Sequence, residues 1–93
     1  MKNNEKIKVT TDLLTFFLKC HNDIKISKSE RDSQILILTK WKNDEPNRAI
    51  LKEVKTYLKM LKKVELNKGK LDYEIRKLKY LNEYFIREKN EFG

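Results

Sequence analysis

Across 93 residues the chain contains one proline, Pro46, and two glycines, Gly69 and Gly93. A disordered or all-β chain of this length needs far more turn chemistry than three breakers supply, so the long stretches between them point to helices. The apolar spacing agrees. Leu13, Phe17, Cys20 and Ile24, widened by Leu14 and Leu18, recur with the 3.6-residue period of an amphipathic helix and predict helix 1 over residues 11–22. Thr10, Thr11 or Asp12 is its expected cap, which leaves residues 1–10 as a flexible lead.

Ser27 and Glu30 have the spacing of a capping box and predict helix 2 from there to about Lys42. Inside it lies Ile35-Leu36-Ile37-Leu38, a continuous apolar run that equally suits a buried strand, since length and β-branching give opposite hints. A lone strand has no pairing partner in this sequence, so the helical reading is preferred. Asn43-Asp44-Glu45-Pro46 then punctuates the chain, with Asp44 or Asn43 as a cap and Pro46 in the first turn of helix 3. That helix carries Ile50, Val54, Tyr57 and Leu61, joined by Leu51 and Leu58, and ends near Lys63. Asn67 to Lys70 is read as a turn in which Gly69 takes a positive φ. Helix 4 follows with Leu71, Ile75, Leu78, Leu81 and Phe85, and runs to about Glu88, with residues 89–93 frayed around Phe92 and Gly93. The expected fold is all-α, an antiparallel four-helix bundle forming a single domain over residues 1–93, each stripe facing a shared core.

Charge is unevenly distributed. Residues 1–46 hold 9 basic and 7 acidic groups (+2), whereas residues 47–93 hold 13 and 7 (+6). The positive field therefore belongs mainly to the second half, where an anionic partner would be met. Cys20 has no second cysteine to pair with and is read as a buried structural thiol. No apolar run approaches the roughly 18 residues of a membrane span and the start lacks a hydrophobic signal region, so a cytosolic protein with at most peripheral membrane contact is expected.

The side chains expected of an enzyme do not gather. His21 is the only histidine, so neither a zinc site nor a Cys-His couple is expected, and no metal or cofactor. Asp72 and Glu74 lie two residues apart on a helix and point in nearly opposite directions, which prevents a shared acid–base role. There is no glycine-rich phosphate loop and no nucleophile elbow, so a binding function is expected rather than catalysis.

Lys55, Lys59, Lys62, Lys63, Lys70, Arg76 and Lys77 are the candidate binding residues, on the exposed face of a hairpin of helices 3 and 4. Tyr57, Tyr73, Tyr80 and Tyr84 lie among these cations and admit a nucleic-acid reading, in which the aromatic rings stack on bases. Against it, lysine predominates over arginine and lacks the planar fork used for base and phosphate recognition. The same lysine face suits a protein working beside an anionic inner leaflet. A phage-type inhibitor of one host protein is a third reading.

Asn22-Asp23-Ile24-Lys25-Ile26-Ser27-Lys28 followed by Ser33-Gln34-Ile35-Leu36 resembles the helix 1 to helix 2 junction of the immunity proteins for pediocin-like (class IIa) bacteriocins, particularly the enterocin A immunity type. Ile50-Leu51 through Leu58, then Lys62-Lys63-Val64-Glu65-Leu66-Asn67 and the segment from Leu71 to Leu81, is similar to that family's third helix, short turn and fourth helix. The resemblance spans residues 11–85. The chain departs from many members in lacking an extended tail after helix 4, so tail-mediated recognition is not expected. The resemblance implies an antiparallel four-helix bundle that stays in the producer's cytosol and protects it from its own membrane-permeabilising peptide. The implied partner is the membrane part of the mannose phosphotransferase permease with bacteriocin bound, engaged from the cytoplasmic side, with specificity set largely by the C-terminal half. No specific nucleic acid and no small-molecule substrate is implied.

Overall fold

A computed structural model describes residues 1–63 and 65–92. The fold class is all-α and antiparallel, as expected, with four helices: α1 (Asn3–His21), α2 (Lys28–Asp44), α3 (Arg48–Leu61) and α4 (Lys68–Phe92). They associate as two compact units, α2 with α3 and α1 with α4. Within the first unit the short link after α2 folds α3 directly back along it.

In the α2–α3 unit, Ser27 caps α2 by accepting a hydrogen bond on its hydroxyl from the Glu30 N–H at 3.1 Å, and the Ile35–Leu38 run is helical as predicted. Only Leu38 of that run is buried, with Trp41 one turn on, while Leu36 is 60% exposed. Glu45 closes the end of α2. One carboxylate oxygen accepts from the Trp41 indole N–H at 2.8 Å and the other accepts from the Asn47 N–H at 3.0 Å. Asn47 then caps α3, its side-chain oxygen accepting from the N–H groups of Ala49 and Ile50. Asn43 and Asp44 are thus the last residues of α2 rather than caps of α3, and Pro46 precedes the cap instead of entering the first turn. The proline's fixed φ serves the link between the helices. On α3, Val54, Tyr57, Leu58 and Leu61 are buried as expected, together with Met60. The Arg31 guanidinium donates to the carbonyls of Leu61 at 2.6 Å and Lys63 at 2.9 Å, a C-terminal cap that also ties the start of α2 to the end of α3.

In the α1–α4 unit, α1 begins eight residues before the predicted start. Val9, Leu13, Phe16 and Phe17 form its buried face, so the first ten residues belong largely to the helix and are not a flexible lead. Thr10 is fully buried mid-helix and not a cap. Its hydroxyl donates back to the Lys6 carbonyl at 2.8 Å and accepts from the Asn82 side-chain amide at 2.7 Å, which satisfies a polar group inside the unit. Of the predicted stripe, Ile24 lies beyond the helix and is 53% exposed, and Cys20 is half-buried rather than enclosed. Leu71, Ile75, Leu78 and Phe85 fill the α4 side, with Glu74 also buried. Contacts from Asn82 to Ile7, and from His21 to Asp72, fix the two helices as antiparallel.

The left-handed turn lies elsewhere than predicted. Gly69 sits in the first turn of α4 without a positive φ, whereas Asp23 has φ 57° just past α1. The Ile24 N–H reaches the Lys19 carbonyl at 2.9 Å and the Asp23 N–H reaches that of Cys20 at 3.2 Å, the paired bonds of a Schellman cap. Aspartate tolerates this conformation better than most residues with a Cβ. The Asp23 carboxylate also accepts from the Lys68 ammonium at 2.8 Å, an exposed pair that contributes little, so Asp23→Ala is expected to lose about 1 kcal/mol in chemical denaturation while Asp23→Gly, relieved of the strain, stays close to the parent. An alanine variant of unchanged midpoint would remove the strain from this account. Helix 4 also continues to Phe92, past the predicted end; Val64 of the family-like turn and Gly93 of the predicted frayed end lie outside the described residues.

Candidate docking face

The sharpest division between apolar and charged residues occurs on α3. With Val54, Tyr57, Leu58 and Leu61 turned inward, the opposite face presents Arg48, Lys52, Lys55, Lys59 and Lys62 at spacings of four, three, four and three residues, all exposed. These five fall within about 80° of arc and span about 21 Å along the axis. Glu53, the one acid of α3, is half-buried on another face. Among the described residues, none of the five cations takes part in an ion pair. Like charges one turn apart cost about 0.2–0.5 kcal/mol per neighbouring pair. An uninterrupted row therefore opposes folding slightly and becomes favourable only beside an anion. Lys63 is exposed next to this row, and Asn47 and Arg31 hold the two ends of the helix that carries it.

The candidate residues therefore divide between the two units. Lys55, Lys59 and Lys62 share the α3 face with Lys63 at its edge, while Lys70, Arg76 and Lys77 belong to α4. Lys70 and Arg76 are exposed. Lys77 is half-buried, with its ammonium 5.2 Å from the centroid of the Tyr73 ring, a cation–π contact within α4. Arg48 and Lys52 complete the α3 row but were not among the candidates; counting outward from Asn47 at helical spacing would have found both.

His21 ends α1, with Nε2 2.7 Å from an Asp72 carboxylate oxygen, so the lone histidine joins the two helices of its unit. Among the described residues no group of three His, Cys, Asp or Glu side chains is placed to hold a metal ion. Among the described residues no helix is long and apolar enough to cross a membrane. The chain matches no protein-family model, no curated protein and no solved structure.

Proposed function

We propose that this chain is an immunity protein of the pediocin-like bacteriocin type, which docks on the cytoplasmic side of a bacteriocin-occupied mannose phosphotransferase permease and blocks the leak. The observation that carries this reading is the row Arg48, Lys52, Lys55, Lys59 and Lys62, exposed on one face of α3 and without an ion pair among the described residues. Five charges in one narrow arc can approach a flat surface together. Each cation near an anionic leaflet contributes about 1 kcal/mol, so the row brings the protein to the inner membrane surface where the permease opens. Further support comes from the resemblance over residues 11–85 and from the antiparallel helical pairs that such a protein requires.

The test is expression in a bacteriocin-sensitive strain challenged with a panel of class IIa peptides. Survival against at least one peptide is the expected result, and sensitivity to the whole panel at confirmed intracellular levels counts against the proposal. Duplex DNA binding is expected to be non-specific and to fade steeply between low and physiological salt. A sequence-dependent footprint at physiological salt would establish a nucleic-acid regulator in its place.

A further inference from the structure

The outward face of α4 differs in kind from that of α3. Tyr73, Arg76, Tyr80, Tyr84 and Arg87 lie within about 80° of arc, opposite the buried Leu71, Ile75, Leu78 and Phe85. The three tyrosines are 54%, 70% and 43% exposed. Tyrosine and arginine together are the residues most enriched at protein contacts, and three large aromatic side chains aligned on one exposed helix face make a row rather than scattered surface residues.

The charges beside the row indicate what covers it. Along one edge the order is Asp72, Arg76, Lys79, Glu83, Arg87, with acids at 72 and 83 among three cations. Laid antiparallel about position 80, the two acids of one copy fall beside the arginines at 87 and 76 of the other. A parallel copy would instead set Arg76 on Arg76 and Arg87 on Arg87.

We infer that α4 is a homodimer surface, on which a second copy of this chain packs its own α4 antiparallel about a two-fold axis at Tyr80. In that register position 76 faces 84 of the other copy and 73 faces 87, so each arginine of the row meets a tyrosine ring, a favourable cation–π arrangement. Arg76 falls within about one residue's rise of Glu83 of the other copy, and Arg87 within the same distance of its Asp72. On the opposite edge Lys70 falls within about two residues' rise of its Glu88. The two-fold axis doubles every one of these pairs. Asp72 retains a 56% exposed side chain while paired to His21, and Glu88 accepts the Tyr84 hydroxyl at 2.7 Å, which keeps both carboxylates at the edges of the row. This inference is independent of the proposed docking of α3.

Two measurements on the full chain test it. In a Cys20→Ser background, Tyr80→Cys is expected to form an interchain disulfide on mild oxidation much faster than Lys79→Cys, because only position 80 meets itself across the axis. In sedimentation at physiological salt, Arg76→Glu and Glu83→Arg are each expected to raise the dimer dissociation constant about tenfold, since each change acts twice across the axis. The double variant Arg76→Glu/Glu83→Arg is expected to recover the parent value. Circular dichroism of each variant checks that the helices are intact. A parent that stays monomeric at high concentration overturns the inference, whether or not the tyrosines then bind vesicles or single-stranded nucleic acid. Equal cross-linking at 79 and 80, or no recovery in the double variant, overturns it as well.

Discussion

Reversing Lys55, Lys59 and Lys62 to glutamate is expected to abolish protection of a sensitive strain while leaving the helix content of the protein unchanged. All three side chains are exposed on the α3 row and among the described residues none makes an ion pair, so their replacement breaks no salt bridge of the fold. Placing glutamate at position 62 sets a negative charge at the α3 C-terminus and costs a few tenths of a kcal/mol, partly offset by the relief of repulsion among the lysines. Stability should therefore change by less than about 1 kcal/mol. Docking responds differently. If each cation contributes about 1 kcal/mol beside an anionic leaflet, neutralising three removes about 3 kcal/mol, or about 150-fold in affinity, and reversal replaces attraction with repulsion. Survival under peptide challenge, compared with the parent at equal expression, reads this out. A triple variant that is folded and fully protective would mean that the α3 row is only a solvated face.

The number and type of the helices were legible because they rest on periodicity and on the scarcity of breakers. Their ends were less so. Helix α1 begins at Asn3 because Val9 and a fully buried Thr10 extend its inner face. Threonine at such a position reads as a cap unless its hydroxyl is known to bond back to the Lys6 carbonyl, and that bond is fixed by the conformation alone. Gly69 was the plausible left-handed residue by chemistry, yet α4 absorbs it after Asn67, whose side-chain oxygen accepts from the Lys70 N–H at 3.1 Å. Asp23 takes the left-handed turn instead, at an energetic disadvantage to glycine that composition does not reveal.

The candidate face was half visible. Charge asymmetry directed attention to residues 47–93, and that half does carry the α3 row. The grouping of the lysines, however, depended on which helices pair. Spacing alone takes Lys55 and Lys77 together as residues of successive helices, whereas the short clasp of Trp41, Glu45 and Asn47 pairs α3 with α2 and α4 pairs with α1. Glu45 lies next to a proline, where a carboxylate ordinarily reads as solvated loop chemistry. Its burial between an indole N–H and a backbone N–H is a tertiary feature with no signature in the spacing of the chain.

The Ile35–Leu38 run supplies the sharpest test of the fold. A strand would carry Leu36 and Leu38 on the same side, because side chains alternate with period 2 and these residues are two apart. A helix turns them about 200° away from each other. In α2 Leu38 is fully buried and Leu36 is 60% exposed. Leu38→Ala is therefore expected to cost about 2–5 kcal/mol, the loss of a fully enclosed leucine together with the cavity it leaves. For a chain of this size, whose total stability is on the order of 5–14 kcal/mol, that is a large fraction. Leu36→Ala should stay within about 0.5 kcal/mol of the parent, as surface substitutions do. Trp41, buried one turn after Leu38 and bonded to Glu45, is the only tryptophan and reports on this unit, so its fluorescence during urea denaturation measures both variants. Equal losses at 36 and 38 are the signature of a strand, and would overturn the helical assignment of α2 and with it the α2–α3 pair that presents the cationic row.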